Sequence, residues 1–127
     1  MRLAVTGGRD FTDKNFIYEV LDYFHDWHTI TSMTAGKARG VDRIAEKWAE
    51  ESMIYFDHSF AADWDKHGHA AGTIRNQDIL DRFKPNAVIA FPGGTGTGDM
   101  VTRVWTMKRK GSPIYLLEAN PNTFFKL

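Results

Sequence analysis

Three glycine-containing turns hold most of the residues in this sequence that could bind an anion. Glycine lets the backbone approach a ligand closely and turn its N–H groups inward, while arginine and threonine add side-chain donors. The turns cover residues 6–10, 35–42 and 92–97. Our ligand-binding candidates within them are Gly7, Gly8, Arg9, Asp10, Gly36, Arg39, Gly40, Asp42, Pro92, Gly93, Gly94, Thr95, Gly96 and Thr97. We expect them to cradle an anion; the alternative is that the glycines only make tight strand-to-helix turns.

A polar segment, residues 61–72, adds a tryptophan and two histidines to the candidates. Trp64 could stack on a base, because an indole ring offers a flat apolar face; the alternative is a loop anchor that packs on the core. His67 and His69 stand two residues apart on a glycine loop, with no third ligand at a recognised spacing, which is a weak signal for a metal. We therefore predict no metal site and no cofactor.

Composition and charge exclude several classes of protein. The chain has no cysteine, so disulfides, thiolate nucleophiles and Cys-ligated metals are ruled out. Sixteen basic and sixteen acidic residues give zero net charge and a pI near 7.0, which argues against a nucleic-acid-binding protein. No apolar run approaches the ~18 residues of a membrane span, and the N-terminus turns polar too soon for a signal peptide. We expect a cytoplasmic protein with no membrane partner.

Short apolar runs alternate along the chain with segments of helical periodicity. The runs predict strands near residues 3–5, 28–35, 54–60, 86–91 and 113–117. The periodic segments predict helices after the first, second and fourth of these strands, and a further helix that ends before Pro85. The last helix is expected over 97–109, with Thr97 as its N-cap and Met100, Val101, Val104 and Trp105 facing inward. Trp105 and Met107 add apolar surface beyond the single narrow stripe of this helix. They raise the hypothesis of a homodimer or higher homo-oligomer.

Strand–helix alternation of this kind is typical of parallel βαβ units. We therefore predict one α/β domain over residues 1–127, a Rossmann-like three-layer fold of about five parallel strands in the order 3-2-1-4-5. Ligands of such sheets bind at the carboxyl ends of the strands where the strand order reverses, here between strands one and four. The first and third glycine turns should face each other there. Neither G-x-G-x-x-G nor G-x-x-x-x-G-K-[ST] is present, so neither a dinucleotide fingerprint nor a Walker A loop is supported.

The order of several motifs resembles one superfamily. The segment PGGTGT at 92–97 is similar to the P-G-G-x-G-T signature of the SLOG superfamily, which includes Lonely Guy phosphoribohydrolases and the DNA-processing protein A. Its YspA-type, YpsA-related branch combines this signature with T-G-G-R-D, G-x-x-R-G-V-D, A-D-W and an R-N pair. Here these motifs start at Thr6, Gly36, Ala62 and Arg75. The resemblance covers roughly residues 2–117.

The resemblance implies a Rossmann-like domain that binds a nucleotide derivative, with its phosphate on the PGGTGT turn. It also implies that Arg75 reaches the phosphate or ribose, and a guanidinium can grip phosphate with two hydrogen bonds. Asn76, the other member of the R-N pair, is a further binding candidate. The alternative for Arg75 is a surface ion pair with Asp78.

One departure from the pattern concerns catalysis. Lonely Guy-type hydrolases carry a glutamate three residues after the signature threonine, whereas this chain has Met100 there and Asp99 one residue earlier. One residue along a helix rotates a side chain by about 100°, so Asp99 is not a simple replacement. It is our tentative catalytic candidate, and the alternative is an acid favoured by the helix dipole. Asp10, Asp42, Asp63 and Asp65 are further acids that could serve.

Two functions follow from these patterns. The first is a sensor or sequestering module that binds a nucleoside phosphate, ADP-ribose or an NAD derivative. The second is a nucleotide N-glycosidase that releases the base from a nucleoside monophosphate, since such a reaction needs a carboxylate near the developing oxocarbenium charge. Met100 favours the first, and the several acids near the polar segment keep the second open. Nucleic-acid binding is disfavoured by the neutral charge.

Overall fold

The computed structural model describes residues 1–123 and contains a five-stranded parallel sheet. The strands are β1 (Arg2–Thr6), β2 (Ser32–Ala35), β3 (Tyr55–Asp57), β4 (Ala87–Ala90) and β5 (Tyr115–Glu118). They lie in the order β3-β2-β1-β4-β5, and every neighbouring pair is parallel. The predicted α/β class and strand order are confirmed.

Helices connect the strands and cover both faces of the sheet. They are α1 (Lys14–His28), α2 (Val41–Glu51), α3 (Trp64–His67), α4 (Ala71–Asp78) and α5 (Thr95–Arg109). A 3₁₀ turn, Gly68–Ala70, joins α3 to α4, and a π-helical turn, Ile79–Phe83, extends α4. Lys84 then adopts a left-handed conformation that ends the helix before Pro85. No helix within residues 1–123 is long and apolar enough to cross a membrane.

The core is split between the two faces because successive side chains of a strand point to opposite sides. In β1, Leu3 and Val5 join a cluster with the apolar stripes of α1 and α2, whereas Ala4 joins a second cluster with α5 and the π-helical turn. In β4, Ile89 belongs to the first cluster and Val88 to the second. This packing holds β1 and β4 side by side at the centre of the sheet, where the predicted site lies.

The second strand begins later than predicted. We expected it from His28, but His28 is the last residue of α1 and β2 begins at Ser32. The His28 ring packs near the Phe24 ring, with 5.0 Å between centroids, and Thr29 leaves the helix at a φ of 23°. Side-chain packing on the helix therefore outweighs the strand preference of the β-branched residues that follow.

The segment predicted as a polar loop contains helical turns. The Asp63 side chain accepts a hydrogen bond of 3.0 Å from the Lys66 N–H, which caps α3 at its start. The chain then turns at Gly68, whose φ is 55°, and enters α4 at Ala71. The loop prediction missed this cap because the helical turns it begins are too short for apolar periodicity.

The last helix also differs from the prediction at two points. It begins at Thr95 with Gly94 as N-cap, so Thr97 lies inside its first turn rather than at the cap. Trp105 is 44% exposed and does not face inward, and Val101 is only half-buried, while Met100 and Val104 are buried. The earlier start places the N–H groups of Thr95, Gly96 and Thr97 at the helix end that faces the predicted site.

Candidate functional site

The three glycine turns meet at the carboxyl ends of β1, β2 and β4. The Gly8 N–H donates a hydrogen bond of 2.9 Å to the Pro92 carbonyl, and the Val41 N–H donates one of 3.2 Å to the Gly8 carbonyl. A Cβ on Gly8 would lie 3.0 Å from Gly93 Cα, so the first and third turns touch through their backbones. Parallel strands end at one edge of a sheet, which is why these distant turns can converge.

A cleft of about 1310 Å³ opens above this junction. We call it the large cleft; it exceeds the ~300–1,000 Å³ usual for small-molecule sites. Trp64, Arg75 and Asp99 line it, together with every turn candidate except Gly40. These thirteen turn residues are Gly7, Gly8, Arg9, Asp10, Gly36, Arg39, Asp42, Pro92, Gly93, Gly94, Thr95, Gly96 and Thr97.

Gly40 and Asn76 support the walls of the large cleft instead of lining it. Gly40 has a φ of 73°, and a Cβ there would lie 2.5 Å from the Gly8 carbonyl oxygen, so only glycine lets the second turn pack on the first. Asn76 is 2% exposed, and its Nδ2 donates hydrogen bonds of 3.1 Å to the Gly96 carbonyl and 3.0 Å to Asp99 Oδ2. Both predicted binding residues are therefore placed as supports of the turns.

The 92–97 turn presents the start of α5 to the large cleft. Gly94 caps the helix, and the first intrahelical bond runs from the Gly98 N–H to the Gly94 carbonyl, at 3.0 Å. The N–H groups of Thr95, Gly96 and Thr97 precede that bond and so have no partner within the helix. These N–H groups and the positive end of the helix dipole together favour an anion at this point.

Arg75 crosses from α4 to the second turn. Its Nη1 donates a hydrogen bond of 2.6 Å to the Gly36 carbonyl, and a Cβ on Gly36 would overlap the guanidinium. The alternative pairing with Asp78 is not what the structure shows, because Asp78 pairs with Arg82 at 2.8 Å. Burial lowers the pKa of Arg75, and the carboxylate of Asp42 acts in the opposite direction. The guanidinium is therefore held against the cleft wall as a fixed cation.

Asp42 is a buried carboxylate in the wall of the large cleft. It is 5% exposed, and its Oδ2 accepts a hydrogen bond of 3.2 Å from the Ala38 N–H. Burial raises the pKa of Asp42 from an ordinary 3.8 to about 6, although Arg75, the N–H groups of Ala38 and Gly36, and Arg9 oppose that shift. Its charge therefore changes close to neutral pH.

The raised pKa of Asp42 makes a prediction about stability. A carboxyl whose folded pKa lies above its unfolded pKa stabilises the fold at low pH, and that contribution disappears as the pH rises through about 6. Relative to an Asp42→Asn variant, the wild type should gain about 2 kcal/mol in free energy of unfolding between pH 8 and pH 4. Urea denaturation of both proteins across this range measures the difference. A difference that stays constant with pH would show that Asp42 does not titrate in this way.

Asp99 takes part in a polar network between α4 and α5. Its Oδ2 accepts hydrogen bonds from Arg103 Nε at 2.8 Å and from Asn76 Nδ2 at 3.0 Å, and Arg103 also donates to Gln77 at 2.7 Å. Asp99 still lines the large cleft. It lies beyond the first turn of α5, so the helix-dipole alternative loses its main support. Of the other acids considered, Asp10 and Asp42 line the cleft, and Asp63 and Asp65 do not.

Two side-chain pairs, a cation–π pair and an ion pair, form the rim of the large cleft. The Arg9 guanidinium lies over the Trp64 ring, with 5.3 Å from Cζ to the ring centroid, and Arg39 pairs with Asp10 at 3.0 Å. Trp64 is 48% exposed, which does not fit an anchor packed on the core. An exposed indole beside a guanidinium offers a flat surface on which a base could stack.

The sequence reasoning missed several residues that line the cleft, of which Lys37 has the clearest chemistry. It adopts a φ of 63°, and its Nζ lies 2.7 Å from Glu46 Oε1 and 2.9 Å from His58 Nδ1. A lysine inside a glycine turn was the signal that could have found it. Phe11, Ala61, Ala62, His69 and Thr73 also line the cleft. Within the described part of the chain, no cluster of His, Asp and Glu could hold a metal ion.

Comparisons with known proteins place these features in a wider context. A family model described as the YspA, cpYpsA-related SLOG family matches residues 1–67, which include the first two glycine turns but not the third. Gene 61 protein of Mycobacterium phage D29 is 32% identical over 102 residues, which cover 76% of this chain and 81% of that protein. The UDP-GlcNAc 2-epimerase of Neisseria meningitidis, solved with bound UDP-GlcNAc, is similar in structure with a TM-score of 0.51 and 19% identity. That similarity covers 93% of this chain but 32% of the epimerase chain, and it shows the fold alone.

Proposed function

Because this chain belongs to the YspA, cpYpsA-related SLOG family, we propose that it binds a phosphorylated nucleoside or a related ligand such as ADP-ribose or an NAD derivative. In this proposal it acts as a sensor or sequestering module. The observation that carries the proposal is the convergence of three glycine turns and the start of α5 on one large cleft. Such backbone donors suit an anionic group such as a phosphate.

The phosphate is proposed to lie at the 93–97 backbone. A Cβ on Gly93 would lie 2.7 Å from the Gly8 N atom and would collide with the Thr97 side chain, so glycine keeps this turn close to its neighbours. Gly94 and Gly96 have open space where a Cβ would stand, which leaves the turn accessible from the cleft. Arg75, which lines the same cleft, supplies a guanidinium that suits phosphate geometry.

The base is proposed to stack at the rim on Trp64. Its ring is exposed, lines the cleft and lies beside Arg9. A base could use the free face of the indole or take the place of the Arg9 guanidinium, since base–aromatic stacking is worth about 1–3 kcal/mol. This placement puts base and phosphate in the same cleft.

Met100 stands where the related hydrolases have their glutamate, and it favours a binding module over an enzyme. Met100 is 1% exposed and belongs to the core cluster under the sheet, so it cannot contact a ligand in the cleft. The second candidate function, nucleotide N-glycosidase, is supported by the two carboxylates in the cleft wall, Asp42 and Asp99. Either could stabilise positive charge on a ribose ring.

One experiment separates these two functions. The protein is incubated with nucleoside monophosphates, ADP-ribose and NAD, and the mixtures are analysed by chromatography. Retention of intact ligand on the protein supports the module. Release of free base supports the N-glycosidase, and the absence of both retention and cleavage for every compound would overturn the proposal.

The enzymatic alternative carries its own prediction at Asp99. If base is released, Asp99→Asn should lower the turnover number by about 100-fold or more, the size expected for a positioned acid–base group. The exposed Asp65, which does not line the cleft, provides the matched control as Asp65→Asn and should leave the rate unchanged. A wild-type rate in Asp99→Asn would remove Asp99 from the reaction and direct the same test to Asp42.

A further inference from the structure

A second cavity, of about 270 Å³, lies against the same turn as the large cleft. We call it the small cavity. The two cavities share Pro92, Gly93, Gly94 and Thr97, whereas Gly98 and Glu118 line only the small cavity. The proposed phosphate-binding backbone is therefore a common wall, and a ligand at that wall has access to both spaces.

The small cavity combines an apolar floor with a carboxylate. Its floor includes the buried residues Phe91, Ala90 and Ala119. Glu118, the last residue of β5, is exposed, and its carboxylate has no hydrogen-bond or ion-pair partner within residues 1–123. Asn120 Oδ1 accepts a 2.8 Å hydrogen bond from the Asn122 N–H, so the amide oxygen is oriented by its own turn.

We propose that the small cavity is a second subsite, which takes a sugar ring attached to the phosphate bound at residues 93–97. A carboxylate repels a further phosphate but accepts hydrogen bonds from sugar hydroxyls. Because the cavity is smaller than the ~300 Å³ at the lower end of small-molecule sites, it suits one ring rather than a second nucleotide. The inference rests on the proposed function and narrows its ligand to a nucleoside diphosphate that carries a second sugar.

The two cavities adjoin at Pro92, Gly93, Gly94 and Thr97, so a phosphate bound at this backbone lies next to both. A Cβ on Gly94 or on Gly98 would meet no atom within 4 Å, so the space beside both residues is open. Gly94 lines both cavities and Gly98 follows it by one helical turn. The nucleoside then lies in the large cleft, the diphosphate at the start of α5, and the second sugar beside Glu118.

Calorimetry with ADP and ADP-ribose tests this assignment, because ADP-ribose carries the second sugar on the phosphate that is terminal in ADP. The wild type should bind ADP-ribose roughly tenfold or more tightly than ADP, the gain expected from hydrogen bonds to a charged group. Glu118→Gln should remove most of that gain. Gly98→Leu should remove it by filling the cavity, and this variant should fold because leucine is a better helix former than glycine. Neither substitution should change the affinity for ADP.

The control is Glu50→Gln, the same chemical change at an exposed residue that lines neither cavity. It should leave both affinities unchanged. Equal affinities of the wild type for ADP and ADP-ribose, or a preference that survives both Glu118→Gln and Gly98→Leu, would overturn the subsite and leave the proposed function standing. Failure of the wild type to bind any nucleotide would overturn both. Equal weakening of ADP and ADP-ribose by Gly98→Leu would show that there is no separate subsite.

Discussion

Gly94→Asp should abolish phosphate binding, with at least a 100-fold loss of affinity, while the protein still folds. A Cβ on Gly94 meets no atom within 4 Å, and the residue has a φ of −102°, outside the left-handed region. Aspartate is also a preferred N-cap, so its carboxylate should accept hydrogen bonds from the first N–H groups of α5. It would then occupy the place proposed for the phosphate and repel a second anion. Calorimetry gives the affinity, and thermal unfolding gives the stability.

Gly94→Ala is the matched control, because it adds the Cβ without the carboxylate. It should keep most of the wild-type affinity, and Gly94→Asp should unfold at a temperature no lower than that of the wild type. An unchanged affinity in a folded Gly94→Asp variant would mean that the phosphate does not lie at the start of α5.

Arg75→Ala should weaken the binding of a phosphorylated ligand roughly ten- to a hundredfold, the loss expected for a charge-assisted hydrogen bond to phosphate. The unphosphorylated nucleoside should lose much less. The variant should also be less stable, because Arg75 bridges to the Gly36 carbonyl and offsets the buried charge of Asp42. Titrations with a nucleoside and its monophosphate separate the loss of phosphate contact from general damage.

The Asp42→Asn/Arg75→Ala double variant removes the buried charge together with its cation and serves as the control. It should recover stability relative to Arg75→Ala but should not recover affinity for the phosphorylated ligand. Recovery of both would show that Arg75 acts only by supporting the turn. Equal losses for nucleoside and monophosphate in Arg75→Ala would have the same meaning.

The fold could be predicted from the sequence because its strongest signals are local. Apolar runs such as NAVIAF at 86–91 separate clearly from the periodic stripe that includes Ile17 and Leu21. The rules for connecting parallel strands then allow only a few strand orders, and the observed order 3-2-1-4-5 is one of them. The boundaries that failed, at His28 and at the start of α3, depend on ring packing and on one capping side chain. Neither the ring packing nor the capping side chain produces a periodic pattern in the sequence.

The position of the candidate site could also be predicted, but the environment of its charges could not. The turns converge because the carboxyl ends of parallel strands share one edge of the sheet. The partner of Arg75 lies 39 residues away, at Gly36, and depends on how α4 packs. The alternative that sequence spacing offered, an ion pair with Asp78, does not form, because Asp78 pairs with Arg82. The burial that raises the pKa of Asp42 likewise arises only when the turns close over it.

The most direct test of the central claim is calorimetric titration of the wild-type protein with a nucleoside monophosphate, ADP and ADP-ribose, alongside the unphosphorylated nucleoside. The account predicts saturable binding of at least one phosphorylated compound and binding of the nucleoside that is weaker by tenfold or more. Equal affinity for the nucleoside and its phosphorylated forms, or no binding of any of them, would contradict a phosphate site at the 93–97 turn.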